Sequence, residues 1–394
     1  MRILVLSFYY QPDLSAGSFR CTALVEELKK YSDCEIEIIT TLPNRYSSFP
    51  VDAKIVEKEG RITIHRVGLP SHKSGMIDQI RAFFTYYRKA KKIVFNENYD
   101  VVYATSSRLF TAFLGARIAN KKRLPLYLDI RDIFVDTIKD VLSPKVALLA
   151  KPVFSAVEKY TFRRAQRINL VSRGFKQYFE QRYPETDYRW YTNGIDKEFL
   201  DIEAIKETEL SQPKTLQVTY AGNLGEGQGL HKILPQLAKM LEGRVEFNVI
   251  GDGGRKSQLE NELLSNEVTN VKLLPPVKRD QLIAFYQQAD VLFLHLNDYP
   301  AFKKVLPSKI FEYAAMGKPI WAGVSGYAAE FLDSEVENSA VFEPGNHLQA
   351  IQLLDSLHMT LTKRDDFITK YSRENVMSKM AKDLVGFASS GVKL

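Results

Sequence analysis

The chain is poor in cysteine: Cys21 and Cys34 are the only two in 394 residues. The first falls in a helical pattern and the second just before a strand, at no spacing that makes a disulfide framework or a metal site. A reducing compartment fits that usage. Long apolar runs are also missing, and none approaches the roughly 18 residues needed to cross a bilayer. The first residues enter an apolar strand directly, without the basic start, apolar centre and cleavage site of a signal peptide. These absences predict a protein that is soluble or rests on a membrane. No low-complexity segment interrupts the chain, and no basic–aromatic motif of a known nucleic-acid module occurs.

What is present is the composition of an ordinary globular protein, 45% hydrophobic and 26% charged. At about 150 residues per domain the length predicts two or three domains. A net charge of +7 and a pI near 9.0 favour anionic partners: nucleotides, nucleic acid or anionic lipid. Short apolar strands at 3–8, 35–40, 62–67, 101–105, 125–129, 168–172 and 189–191 alternate with helical patterns at 17–30, 75–95, 109–119 and 145–167. The alternation restarts after Thr192-Asn193-Gly194-Ile195-Asp196 and a polar segment reaching Lys214. Its strands are 216–220, 246–250, 271–274, 291–296, 319–322 and 340–342, and a last helical stretch runs over 367–388. Such alternation predicts α/β architecture with doubly wound parallel sheets.

The stretch 306–319, L-P-S-K-I-F-E-Y-A-A-M-G-K-P, carries the most chemistry. Pro307 suits a first helical position, and Gly317 followed by Pro319 makes a stop. Ser308 and Lys309 precede Glu312 by four and three residues, so all three share one helix face. A hydroxyl, a cation and a carboxylate beside a helix N-terminus can hold a nucleotide diphosphate, with Glu312 accepting from ribose hydroxyls. A core helix with a solvated polar edge fits the same spacing.

Other loops follow strands. Pro12, Ser15 and Gly17 lie where the first strand gives way to a helix, a place for backbone N–H groups to meet an anion. Residues 128–136, L-D-I-R-D-I-F-V-D, set three carboxylates and Arg131 at a strand's carboxyl end. Asp132 is the candidate reactive group, with Arg131 as electrostatic partner; a structural ion pair or helix cap reads equally well. Residues 220–229, Y-A-G-N-L-G-E-G-Q-G, hold four glycines in a loop that must approach something closely. They lack the G-x-G-x-x-G spacing of dinucleotide sites. Gly251-Asp252-Gly253-Gly254 ends another strand, and in Leu274-Pro275-Pro276-Val277 only Val277 keeps an N–H. In 75–95, Met76, Ile80, Phe83, Phe84, Tyr87 and Val94 fall near one stripe, with Arg81, Arg88, Lys89, Lys91 and Lys92 against the single acid Asp78. A basic helix with aromatic residues can lie on an anionic membrane surface; packing on the sheet is the plain alternative.

P-S-K-I-F-E-Y-A-A-M-G-K-P-I resembles the donor-site segment of retaining GT-B glycosyltransferases, most nearly the bacterial enzymes that transfer N-acetylfucosamine-type amino-deoxysugars in O-antigen and capsule assembly. The order and spacing of the other motifs extend the resemblance to about residue 388. It implies two Rossmann-like domains facing each other across a cleft, 1–198 and 199–371, with a closing helix at about 372–394 returning to the first. Glu312 matches the ribose-binding glutamate, but the family's earlier glutamate falls on Lys304, so its sugar contact does not carry over. The family's loop arginine and lysine, which hold the donor phosphates, fall on Asn223 and Gln228. Lys303, Lys304 and above all Lys309 are therefore expected to carry the phosphate charge. Gly17, Gly251, Asp252, Val277 and Ser308 complete the donor side, with Asp132 and Arg131 toward sugar and acceptor. The resemblance implies a UDP-sugar donor, a polyprenyl-diphosphate-linked acceptor, no cofactor, no metal and no nucleic acid. It also implies a cytoplasmic location, peripheral on the inner face of the cell membrane through 75–95. A UDP-sugar 2-epimerase of the same fold and a basic nucleic-acid-binding protein are the competing readings.

Overall fold

A computed structural model describes residues 1–13, 15–43, 53–70, 76–106, 109–133, 144–200 and 215–390. Asp136, Gly75 and the polar segment 201–214 lie outside the described residues. The chain divides into two compact units, Met1–Asn193 with Arg373–Leu394, and Gly194–Ser372.

In the first unit, β1 (Arg2–Leu6), β2 (Glu35–Thr41), β3 (Val56–Glu59), β4 (Ile62–Val67), β5 (Val101–Thr105), β6 (Leu126–Ile130), β7 (Arg167–Leu170) and β8 (Asp187–Arg189) form one sheet. Its order is β3-β4-β2-β1-β5-β6-β7-β8. Neighbours run parallel except β3, which pairs antiparallel with β4. Ile3, Leu4, Val5 and Leu6 are wholly buried, because helices cover both faces of a parallel sheet and leave no polar side to alternate with. The alternating pattern does not predict β3: Val56-Glu57-Lys58-Glu59 is a charged edge strand, which resists pairing with another chain.

Helices α1 (Ala16–Lys29), α2 (Met76–Ile93), α3 (Leu109–Lys122), α4 (Pro144–Arg164) and α5 (Lys176–Arg182) connect these strands. Among the described side chains of α2 the buried ones are Ala82, Tyr86 and Ala90, with Val94 just beyond its end, a four-residue repeat. The Tyr86 hydroxyl donates to the Ile39 carbonyl at 2.7 Å. This corrects the expected stripe. Ile80 and Phe84 are exposed, at 58% and 56%, while Phe83 and Tyr87 lie half-buried against Phe110 and Phe113 of α3. Alanines allow a close approach to the sheet, so the small face is the one that packs. No described helix is long and apolar enough to cross a membrane.

The second unit contains β9 (Leu216–Ala221), β10 (Val245–Ile250), β11 (Val271–Leu274), β12 (Val291–His295), β13 (Ile320–Gly323) and β14 (Ser339–Phe342). They are all parallel in the order β11-β10-β9-β12-β13-β14. Between them come α6 (Leu230–Met240), α7 (Lys256–Ser265), α8 (Arg279–Gln288), α9 (Lys309–Ala315), α10 (Tyr327–Glu335), α11 (His347–Leu354) and α12 (Asp365–Tyr371). Strand order reverses between β9 and β12, and ligands of such sheets bind outside the carboxyl ends at that switch point.

The last helical stretch is not one helix. Ser372, with ψ 136°, breaks it into α12 and α13 (Arg373–Ser389). Met377, Met380 and Leu384 of α13 join Leu24, Val25 and Leu28 of α1 in one apolar cluster of the first unit. Asp383 fastens α13 to the sheet, accepting from Arg167 Nη1 at 2.9 Å, Arg189 Nε at 3.0 Å and the Tyr127 hydroxyl at 3.0 Å.

Candidate functional site

In the second unit the loops after β9 and β10 are zipped together. Gly222 N–H donates to the Ile250 carbonyl at 2.8 Å, and Leu224 N–H to the Asp252 carbonyl at 2.9 Å. Gly222 and Gly251 have φ of 152° and 154°, and a Cβ on Gly251 would lie 1.8 Å from the Gly222 carbonyl oxygen. Only glycine permits that approach. Asp252 turns its carboxylate onto its own loop, accepting from Gly253 N–H at 2.8 Å.

Lys309 enters this cradle from α9. A Cβ on Gly222 would lie 2.1 Å from Lys309 Nζ, so the ammonium rests directly against the glycine, and it stands 5.6 Å from the Tyr220 ring centre. Burial pushes the Lys309 ammonium below its ordinary value, and the Glu312 charge pulls it back up. Glu312 also acts electrostatically on Arg279, at the start of α8. The carboxylate thus sits in the field of two cations.

The helix itself is held by burial of Ile310, Phe311, Tyr313, Ala314 and Ala315. It begins later than expected: Pro307 and Ser308 lie before α9, and their carbonyls accept from Ile310 and Phe311 N–H. A proline suits that place because it lends a carbonyl to the first turn without needing a donor of its own. Gly317, at φ 68°, ends the helix, and Arg364 Nη1 donates to the Ala314 carbonyl at 3.0 Å.

The other expected donor residues divide. Asn223 and Gln228 hydrogen-bond each other at 2.8 Å, closing the loop where the family has cations. Lys303 pairs with Asp298 at 2.9 Å on the surface, so its charge is already partnered. Lys304 is half-buried in a short 3-10 turn, and Val277 packs half-buried against the α9 cluster.

Sequence spacing gave no sign of the residues that hold the cradle rigid. His295, at the end of β12, bonds the Gln228 carbonyl through Nδ1 at 2.7 Å and accepts from Gly345 N–H on Nε2 at 3.0 Å, which fixes the Nδ1–H tautomer. Its burial lowers the imidazole to about 4, so it stays neutral. Asn297 N–H donates to the Gly227 carbonyl at 2.9 Å. Glu226 bonds Tyr299 and pairs with Lys232 at 3.0 Å and Arg255 at 2.7 Å, and the Tyr299 hydroxyl is the largest cause holding its carboxyl down to about 2. These partners are distant in sequence.

In the first unit, the carboxyl end of β6 sorts the carboxylates. Asp129 is buried and accepts from Arg20 Nε and Nη2 at 2.8 and 3.0 Å, from Asn169 Nδ2 at 2.7 Å and from the Tyr103 hydroxyl at 3.1 Å. It is structural. Asp132 is exposed to solvent at the end of β6. The protein around it lifts its carboxyl to about 6, and the Arg131 charge opposes this. Arg131 lies in the charge field of Arg20, Asp132, Asp129 and Arg373, and its backbone N–H donates to the Ser106 hydroxyl at 2.9 Å. Gly17 is buried in the first turn of α1, which Ser15 caps by accepting from Ser18 N–H at 3.2 Å.

Two family patterns match this chain: "Glycosyl transferase 4-like domain" over residues 18–190 and "Glycosyl transferases group 1" over residues 201–374. The chain is 29% identical over 118 residues to the putative colanic acid biosynthesis glycosyl transferase WcaI of Escherichia coli, a match covering 30% of this chain and 28% of that protein. It is 24% identical over 333 residues to the uncharacterized glycosyltransferase MJ1178 of Methanocaldococcus jannaschii, covering 84% and 81% of the two. Among solved structures it is similar to Anabaena Alr3699/HepE in complex with UDP and glucose, at a TM-score of 0.65 and 17% identity, over 98% of this chain and 99% of that one.

Proposed function

The chain belongs to the group 1 glycosyltransferases and has the two-domain α/β GT-B fold, and we propose that it moves an N-acetylated deoxyhexosamine from a UDP-sugar to a polyprenyl-diphosphate-linked saccharide. The transfer retains configuration and belongs to surface polysaccharide assembly. The observation that carries the donor reading is Lys309 seated in the Gly222 cradle with Glu312 one turn further along α9. A neighbour of this fold in complex with UDP and glucose supports a nucleotide-sugar donor.

In this mechanism the bond from the anomeric carbon to the diphosphate oxygen breaks as the acceptor oxygen bonds on the same face, and the acceptor proton passes to the departing phosphate. The protein positions the reactants and stabilises charge on the leaving group, which needs neither covalent intermediate nor metal. Incubating the protein with a panel of UDP-sugars and a short polyprenyl-diphosphate acceptor, with EDTA present, should give a glycosylated lipid. Turnover of donor alone to an isomeric UDP-sugar would instead identify an epimerase.

Glu312 is assigned the ribose hydroxyls. Glu312→Ala should weaken UDP binding by about 1.5–3 kcal/mol, the range for hydrogen bonds to a charged group. Calorimetry showing unchanged UDP affinity in a folded variant would remove this assignment.

Asp132 is assigned to the acceptor side, where its ionised form acts. With a carboxyl at about 6, kcat/KM should fall as pH drops through that value. Its folded value lies above the unfolded one, so stability from this group is gained below pH 6 and absent above it. Asp132→Asn should therefore lose activity at pH 7 without losing stability. A variant that keeps a wild-type pH profile would exclude the role.

Exposed Ile80 and Phe84, with Arg81, Arg88, Lys91 and Lys92 beside them, support a peripheral position on the inner membrane face.

A further inference from the structure

An open cavity of about 540 Å³ lies between the carboxyl-terminal ends of α2 and α3. In this parallel sheet helices run against the strands, so the cavity sits at the strands' amino ends, the opposite edge from Asp132. Nothing in the transfer reaction uses it. Its lining includes Lys91, Arg117, Lys121 and Lys122, with Tyr87 and Phe95 as aromatic walls, and no carboxylate among the described residues.

Four cations around one cavity repel each other unless an anion enters. Among the described residues no carboxylate pairs with Lys91, Arg117 or Lys121, and Arg117 hydrogen-bonds the neutral Tyr87 and Tyr160 side chains. Lys91 stands over the Tyr87 ring at 5.3 Å, Lys121 over the Phe95 ring at 4.7 Å and Arg117 over the Tyr160 ring at 5.9 Å. Such contacts orient a cation but leave its charge in place. Lys122 is occupied, donating to the Phe95 and Glu97 carbonyls at 3.2 and 2.6 Å. A guanidinium and two ammonium groups on apolar walls suit a phosphate joined to an apolar body.

The α2 surface shows where such a ligand comes from. Ile80, Phe84, Arg88, Lys91 and Phe95 recur at three- and four-residue spacing, a single row along the exposed face. Its last two members line the cavity, so the exposed apolar row runs into the cationic one.

We propose that the Lys91–Arg117–Lys121 cavity binds the phosphodiester headgroup of an anionic phospholipid. This rests on the reading of α2 as membrane-facing and gives that face headgroup selectivity.

The test titrates the full chain with dihexanoyl phosphatidylglycerol below its micelle concentration, alongside dihexanoyl phosphatidylcholine and inorganic phosphate. Arg117→Gln/Lys121→Gln is compared with wild type, and Lys91→Gln serves as a second variant. The side chains of Arg117 and Lys121 are exposed, and an unchanged melting temperature checks the fold. Phosphatidylglycerol should bind wild type, and the double variant roughly tenfold to thirtyfold more weakly, the loss expected for two cations at an anionic headgroup. Equal binding by wild type and variants, equal binding of phosphatidylcholine, equal binding of inorganic phosphate, or no binding at all would each overturn the proposal. Vesicle sedimentation of Ile80→Ser/Phe84→Ser separates the two readings. If that variant and wild type sediment alike while short-chain phosphatidylglycerol still needs Arg117 and Lys121, the membrane face fails and the pocket stands.

Discussion

Asp129→Ala should destabilise the first unit by about 3–5 kcal/mol, the cost of removing one partner from a buried ion pair. The side chains of Arg20 and Asp129 are 2% and 1% exposed. Without the carboxylate, the Arg20 guanidinium keeps the Thr192 and Tyr191 carbonyls at 2.6 and 2.8 Å but has no counter-charge. Asn169 and Tyr103 lose an acceptor at the same stroke. The native carboxyl lies below its ordinary value: burial pushes it up, and the Arg20 charge and hydrogen bond, with help from Asn169, pull it further down. That sign places the contribution above the unfolded value of about 3.9, and it fades as pH falls below this. Urea denaturation at pH 7 measures the loss directly. A difference under about 1 kcal/mol would mean that the guanidinium finds another partner or water.

The second large effect belongs to Lys309. A UDP diphosphate brings about two negative charges, and a helix end supplies the equivalent of only about half a positive one. Asn223 and Gln228 bond each other, and Lys303 is held by Asp298, whereas Lys309 Nζ rests against Gly222. Truncating one member of a buried, hydrogen-bonded charge pair costs about 2–5 kcal/mol. Lys309→Ala should therefore weaken UDP roughly thirtyfold or more, at 1.4 kcal/mol per tenfold. Uridine, which carries no phosphate, should bind both proteins alike. Gly222→Ala should behave as Lys309→Ala does, since the added methyl group occupies the place of the ammonium. Equal losses for uridine and UDP would show that the phosphates are held elsewhere.

The strands were legible because strands buried on both faces read as unbroken apolar runs, as at Ile3 to Leu6. β3 was hidden for the converse reason, since a charged edge carries no apolar pattern. On α2 the eye goes to large apolar side chains, and the packed face is built on Ala82 and Ala90. The α9 segment was legible because its helix face lies within a few consecutive residues. The His295, Asn297 and Glu226 contacts join residues up to 73 positions apart, which no local spacing reports. Asp129 and Asp132 sit three apart, yet one is saturated by Arg20 and the other is not; folding, not proximity in sequence, divides their roles.

The return of α13 to the first unit sets an order on biosynthesis. Leu24, Val25 and Leu28 of α1 are covered by Met377, Met380 and Leu384, which are synthesised only after the whole second unit. At about 5–20 residues per second, the apolar face of α1 waits on the order of tens of seconds for its cover. The second unit is continuous in sequence and has all its strands in hand before α13 exists. In a growing chain the amino-terminal unit is therefore the later one to close, and until then it is a natural client for a chaperone.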